Sequence, residues 1–411
     1  MHPRVGRREL LAMISSMMAF TALAIDLMLP AFDDIRVSFD LGTGSSETAR
    51  IVTVFFLGMA IGQLFFGPLA DRFGRKRTLY VSVAVYTFGA VVAALVPSFG
   101  MMLVSRFVWG VGAAGARVVA VAIVRDRFEG VVMAKAMSQI MAVFVIVPIA
   151  APLLGAAIIT VAPWRATFWA CGLFALVVSV WSLRLRETLE PANRRELRPR
   201  LIASGYWEVA RTPVTFGYTV ATIFIQAVFT SYIASVELIV AEVYDRDAQF
   251  PYIFGGVALF FGAAALINGR VVENLGINTV VRRALVTLMP LLALLAFITA
   301  VSDGRPNFWL FMPLLGLTFA MFMFLMPNLN SAAMEPVGHI AGSASALTGS
   351  VRIAGGALLG GLFAEAVDNT VTPLVIGAVA MTSIAIVCIL SVWRRQGIEF
   401  VPRPIPVVDP A

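Results

Sequence analysis

Apolar and polar stretches alternate along the whole chain. Runs of about 20 predominantly apolar residues, the length at which a helix crosses the hydrocarbon core of a bilayer, occupy 10–32, 49–69, 78–97, 101–123, 136–159, 164–184, 214–240, 251–269, 283–301, 308–327, 342–364 and 371–393. The pattern predicts an all-α membrane protein of 12 transmembrane helices. One polar interval, 185–213, is longer than the others and divides the spans six and six. The expected domains are an N-terminal six-helix bundle over 1–184, a cytoplasmic linker over 185–213, a C-terminal six-helix bundle over 214–394 and a cytoplasmic tail over 395–411. Between the second and third spans lies a knot of charge, Gly67-Pro-Leu-Ala-Asp71-Arg72-Phe-Gly74-Arg75-Lys76-Arg77, read as a tight surface loop with a glycine at each of two turns. A degenerate copy, Gly269-Arg-Val-Val-Glu273-Asn-Leu-Gly276, follows 202 residues later with its acid and both glycines in register. Repetition of this kind predicts two pseudo-symmetric halves with a site at their interface.

Composition agrees, since 59% hydrophobic and 13% charged residues make a chain too apolar for a water-soluble globule. The net charge of +7 matters through its placement: 23 of the 31 Lys and Arg fall on the side of Arg75, five on the opposite side and three within spans. By the positive-inside rule the Arg75 side is cytoplasmic, and an even number of spans puts both termini there. Bases set between apolar spans, not gathered on a polar face, also exclude a nucleic-acid surface. Arg4, Arg7 and Arg8 precede the first run as in a signal peptide, but the run to Pro30 is too long for one and lacks a small-residue cleavage site, so it is expected to stay as the first span. Cys171 and Cys388 have no pairing or metal-ligand spacing. There is no HExxH, GxSxG or Walker loop, so neither an intramembrane enzyme nor coupling to ATP on this chain is expected, and no cofactor is called for. Twelve spans in two repeats also fit poorly with a channel built as a ring of identical subunits.

Charges inside spans are costly and therefore point to function. Asp26, Arg106, Arg117, Glu237 and Arg352 are the candidates for proton coupling and substrate binding. Asp26 falls about 8 Å from the outer end of span 1, and Arg106 at nearly the same depth in span 4, so the two are expected to meet or to share a polar cavity. A carboxyl in such a cavity is held between desolvation, which favours its neutral form, and a guanidinium, which favours its ion, as a proton carrier requires; a structural Asp–Arg pair is the alternative. Arg106 and Arg117, 11 residues apart, share one stripe of the span 4 helix, expected to face a cavity and not lipid. Arg117 and Arg352 come from opposite halves and suit an anionic group at the midplane, unless Glu237 neutralises one of them or is simply interfacial. Gln63, Gln139, Gln226, Tyr232, Asn328 and Asn330 are further polar groups placed to reach a ligand, each with ordinary packing as the alternative. Met137, Met141, Phe144, Phe224, Phe229, Met321 and Met323 supply adaptable apolar surface. Pro148, Pro152 and Gly155 in span 5 allow kinking and close helix approach.

Taken together, the chain resembles the major facilitator superfamily, most closely its Bcr/CflA-like multidrug efflux branch of drug:proton antiporters. The resemblance rests on Gly67 to Arg77, Ile25-Asp26-Leu-Met-Leu-Pro30, Gly62-Gln63, Arg106-Phe-Val-Trp109-Gly110-Val-Gly112, Ile123-Val-Arg125-Asp126, Ala151-Pro152-Leu-Leu-Gly155 and Gly342-Ser-Ala-Ser-Ala346. Trp109 stands where the span 4 motif usually has Gln, Ala151 and Ala156 where Gly is common, and Glu237 where an apolar or Pro residue is typical; Arg117 and Arg352 are this chain's own. The resemblance implies the major facilitator fold and a conformational latch of Gly67, Asp71, Arg72, Gly74, Arg75 and Arg125, in which Asp71 accepts from a neighbouring helix N-terminus and from an arginine, Arg125 being one candidate, when the carrier is closed inward; a solvated loop that only sets topology is the alternative. It associates the span 5 motif with exchange. The implied function is proton-coupled antiport that exports small organic compounds or drugs by alternating access; a proton-coupled or facilitated carrier of a small anionic metabolite is the alternative. The implied partners are a small-molecule substrate, either an amphipathic drug or an organic anion, the proton as coupling ion, and membrane lipid. The implied setting is a monomer in the bacterial cytoplasmic (inner) membrane.

Overall fold

The computed structural model describes residues 6–42, 44–194 and 199–398; some side chains between 130 and 145, Met141 and Phe144 among them, lie outside the described residues, as do Arg4 and the expected tail from 399 on. Every regular element among the described residues is helical. In chain order these are α1 (Arg7–Asp26), α2 (Phe32–Ser38), α3 (Ala49–Phe73), α4 (Arg75–Leu95), α5 (Phe99–Arg127), α6 (Gly130–Val161), α7 (Arg165–Trp181), α8 (Pro199–Arg211), α9 (Pro213–Leu238), α10 (Phe250–Leu275), α11 (Ile277–Val301), α12 (Phe308–Met334), α13 (Ala341–Glu365) and α14 (Thr372–Gln396). Ten apolar stretches are long enough to cross a bilayer, one of which, Phe308–Glu365, holds both α12 and α13, and α6 adds the apolar segment Ile146–Val161. The 12 predicted spans are thus each met by a long helix. The helices outrun the apolar runs because the runs mark only the hydrocarbon part of each.

The knot of charge is a loop at one residue only. Gly67 to Phe73 are the last turns of α3, and the chain reverses at Gly74, with φ +96°, into α4. Its copy does the same: α10 runs to Leu275 and Gly276, with φ +74°, opens α11. An L side chain is strained at either φ, so these two glycines carry the repeat. Two short helices had no counterpart among the long runs. One is α2, beyond Pro30; the other is α8, in the linker.

α1 and α3 to α7 pack on one another, as do α9 to α14, and the two groups meet along α3 against α13 and α6 against α10. The α3–α13 seam is antiparallel and built of small or polar residues. A Cβ on Gly361 would lie 2.6 Å from Thr53 Oγ1, Ser350 Oγ donates to Ala60 O at 2.7 Å, and Gln63 Nε2 donates to Ser345 O at 3.2 Å. Within the first group α3 and α5 touch backbone to backbone: a Cβ on Gly110 would lie 2.0 Å from Phe55 O, and one on Gly58 2.0 Å from Phe107 O. Gly110→Ala is expected to lower the melting temperature of the detergent-solubilised protein, an overpacking cost of about 1–3 kcal/mol. Gly100→Ala on the same helix, where nothing lies within 4 Å, should leave it unchanged.

Candidate functional site

A cavity of about 790 Å³ lies between the two helix groups. Its deep part is lined by Met59 and Gln63 of α3, Ala114 and Arg117 of α5, and Gly349 and Arg352 of α13. From there it extends to the Arg75 end of the molecule, where Asp71, Arg75, Arg125 and Asp126 line it, with Ile202, Tyr206 and Glu208 of α8 along its flank. α8 is fastened there: Tyr206 Oη donates to Leu64 O at 3.2 Å, and Glu208 Oε1 meets His339 Nε2 at 2.7 Å. Burial holds the Tyr206 phenol above its usual pKa.

Arg117 and Arg352 therefore share the cavity, one from each group, both half-buried. Arg352 Nη1 donates to Gln226 Oε1 of α9 at 2.7 Å, which fixes its direction. Arg106 does not share it. Its guanidinium is completely buried, donates to Ala24 O at 2.9 Å and to Ile51 O at 3.4 Å, and lies 4.5 Å from the Phe55 ring centroid and 4.6 Å from that of Trp109. Arg106 ties α1 and α3 to α5, so the stripe expected to face a cavity does so at Arg117 only. Trp109, where the family pattern has Gln, supplies one wall of that aromatic box and packs edge-on against Phe55, Tyr86 and Phe168.

The expected meeting of Asp26 with Arg106 is not found either. Asp26, at the end of α1, is buried and makes no hydrogen bond or ion pair among the described residues. Tyr232, another candidate, belongs to α9. Tyr232 stacks on Phe254 at 6.1 Å and tilts against Phe319 at 4.7 Å, and its buried hydroxyl has no partner among the described residues.

Glu237 neutralises an arginine, but not one in the cavity. Arg36 of α2, 2% exposed, donates from Nη2 to Glu237 Oε2 at 2.6 Å and from Nη1 to Glu237 Oε1 at 3.1 Å. It also donates from Nη1 to Asp33 Oδ1 at 2.5 Å, from Nη2 to Thr48 Oγ1 at 3.2 Å and from Nε to Ser45 O at 2.9 Å. All its donors are engaged, and the fork bridges the two helix groups at the end opposite Arg75. A weaker, half-exposed link stands beside it, Arg50 Nη2 to Glu365 Oε2 at 3.1 Å. Sequence reading missed Arg36 because it lies in an interval counted as loop. The available signal was the acid–base spacing of Asp33 and Arg36.

At the Arg75 end, which the cavity reaches in this conformation, Asp71 is held by a different arginine. Asp71 Oδ1 accepts from Arg75 Nη1 at 2.6 Å, one helical turn on, and not from Arg125, which is exposed. Arg75 also donates from Nε to Asp126 Oδ2 at 2.9 Å. The α4 N-terminus is capped by Glu187 at the start of the linker, whose carboxylate accepts from the backbone N–H of Arg75 at 2.8 Å and of Lys76 at 3.1 Å. That carboxylate occupies the space a Cβ on Gly74 would need. Arg72 is exposed, and the would-be Cβ of Gly67 meets nothing within 4 Å. All four charged partners lie within the first group and its linker.

Of the remaining polar candidates, Asn330 lines the cavity, and Gln63 lines it while spending a donor on the seam. Asn328 Nδ2 donates to Asn268 Oδ1 at 2.8 Å, joining α12 to α10 away from the cavity. Gln139 is exposed on the outside of α6. Pro148 and Pro152 lie inside α6, which continues through both. Gly155 lets α6 pass the backbone of Leu27, 2.1 Å from a would-be Cβ.

Two groups of apolar helices around a polar-lined cavity that reaches one end of the molecule, with an ion-paired closure at the other, define a multi-pass membrane transporter and not an enzyme. The chain belongs to the Major Facilitator Superfamily, whose sequence profile matches residues 10–361. It is 31% identical over 368 residues to a bicyclomycin resistance protein homolog of Haemophilus influenzae, covering 88% of this chain and 90% of that one. It is 32% identical over 176 residues to the multidrug resistance protein MdtL of Escherichia coli, covering 41% of this chain and 45% of that one. The crystal structure of the human organic anion transporter MFSD10 shares the fold, with a TM-score of 0.67 at 17% identity over 94% of this chain and 98% of that one.

Proposed function

We propose that the chain is a proton-coupled antiporter that exports small organic compounds or drugs from the cytoplasm. It would act as a monomer in the bacterial inner membrane, with both termini inside. The observation that carries this reading is the cavity between the helix groups, which reaches the arginine-rich Arg75 end while Arg36 and Glu237 close the other. With the Arg75 end in the cytoplasm, this is the conformation that loads substrate from inside. Rocking of 1–184 against 214–394, joined by the linker 185–213, would move the opening to the other side. The resistance proteins it is similar to support a drug or another small organic compound as substrate. Asp26, buried and unpaired among the described residues, is the proton carrier in this scheme, and no cofactor enters it.

The test is a proteoliposome assay with an imposed pH gradient and a panel of cationic, neutral and anionic drugs and small organic acids. Movement against the proton gradient is expected for at least one drug. Gradient-independent movement of an acid would instead support the second reading, a carrier of a small anionic metabolite, which the two cavity arginines favour. Asp71→Asn is expected to cut transport about tenfold at unchanged membrane level, since Asp71 orders Arg75 at the rim of the loading path. Full activity in that variant would remove the latch from the scheme.

A further inference from the structure

Arg117 and Arg352, one from each helix group, present two positive charges to one cavity. Two cations placed together at membrane depth are costly unless an anion balances them. Among the described residues no carboxylate is paired with either guanidinium, and Glu208 on the cavity flank meets His339. Glu237 is held by Arg36 at the opposite end. Asp71 and Asp126 are held by Arg75. Asp26, the other buried carboxyl, does not line the cavity and pairs with nothing among the described residues. Gln226 takes one N–H of Arg352 through its side-chain carbonyl, which orients the guanidinium without neutralising it. Apart from Gln63, which spends a donor on the seam, the deep wall is apolar or small, with Met59 and Ala114 on one side and Ala346 and Gly349 on the other. Two guanidinium forks lining one such cavity suit a carboxylate, sulfonate or phosphate oxygen pair.

We propose that the substrate is an amphipathic organic anion, its acidic group held between Arg117 and Arg352 and its apolar body along Met59, Ala114 and Ala346. The proposal rests on the transport reading above and names the substrate class of that same cavity. It also gives the arginines a conformational task. They come from opposite helix groups, so the anion is the bridge that draws the two together in the loaded state, while the empty carrier keeps them apart by repulsion.

The test uses full-length protein purified in detergent and two probes of one shape, naphthalenesulfonate and the uncharged naphthalenesulfonamide, with affinities read by equilibrium dialysis. The sulfonate is expected to bind about tenfold or more tightly than the sulfonamide. Arg117→Gln and Arg352→Gln should each bring that ratio towards one while sulfonamide binding stays within about twofold. Arg352→Lys, which keeps the charge, should retain part of the preference, and a melting curve on each variant identifies any that has lost its fold. Equal binding of the two probes by the unaltered protein, or a preference that survives both glutamine variants, overturns the assignment. The liposome assay separates this from the reading beneath it. Proton-driven export of neutral drugs without anion preference overturns the arginine site and leaves the antiporter standing; arginine-dependent anion binding without proton-driven movement does the reverse.

Discussion

Asp26→Asn is expected to abolish the dependence of transport on the pH gradient, lowering gradient-driven flux about a hundredfold, while the purified protein folds at least as well as the unaltered chain. Asp26 and Glu237 are the two buried carboxyls among the described residues, and Asp26 alone of the pair has no cation against it. Desolvation sets the cost of its charge, so the amide, nearly identical in shape and never charged, relieves that cost instead of adding one. What the amide cannot do is take up and release a proton as the site changes sides. Downhill movement of substrate should persist in the variant, because Asp26 does not line the cavity. The measurement is initial flux against external pH in proteoliposomes. Flux that keeps the pH profile of the unaltered protein would place the proton elsewhere and return Asp26 to a packing role.

The second large effect is expected from Glu237→Gln, which should open the Arg36 end. Losing one partner of a buried, hydrogen-bonded ion pair costs about 3–5 kcal/mol, because the other charge stays buried and underpaired. Here that penalty applies only to the conformation in which α2 and α9 are clasped, since Arg36 is free to find water when the groups part. The ratio of closed to open molecules at that end should fall by a factor of about 10² to several thousand. Spin labels on cysteines introduced at the exposed Val37 and Asp247, with Cys171 and Cys388 replaced by serine, would read this as a longer interlabel distance. An unchanged distance distribution in Glu237→Gln would show that the clasp does not hold the end shut. Protonation of Glu237 has the same consequence as the amide, so the closure itself is sensitive to a proton.

The long elements were legible in the sequence because a hydrocarbon-spanning helix leaves a run of about twenty apolar residues that nothing else in a chain of this composition imitates. The repeat was legible for a sharper reason: Gly74 and Gly276 sit at positive φ, and that requirement survived, with the acid, where the bases of the first copy did not. The short amphipathic helices α2 and α8 leave no such run, and with α2 went Arg36, the residue that gives Glu237 its partner. Depth along a helix was also readable, but not what stands opposite. Asp26 and Arg106 were placed at one level, yet Arg106 turns into the box formed by Phe55 and Trp109 and bonds the backbone of α1 and α3. Asp71 took Arg75 because a partner one turn away needs no assembly of separate helices, whereas Arg125 would.

The seam between α3 and α13 bears on how fast a carrier of this build can turn over. Its contacts at Thr53 and Gly361, Ala60 and Ser350, and Gln63 and Ser345 involve short side chains and backbone oxygens, with little that interlocks. Such faces part by breaking a few single hydrogen bonds, while at the rim the charged bonds of Arg36 to Glu237 and of Arg50 to Glu365 must also break. The tempo of the cycle would then be written in a few polar bonds at the rim, and substitutions there would retune speed without altering what the cavity accepts.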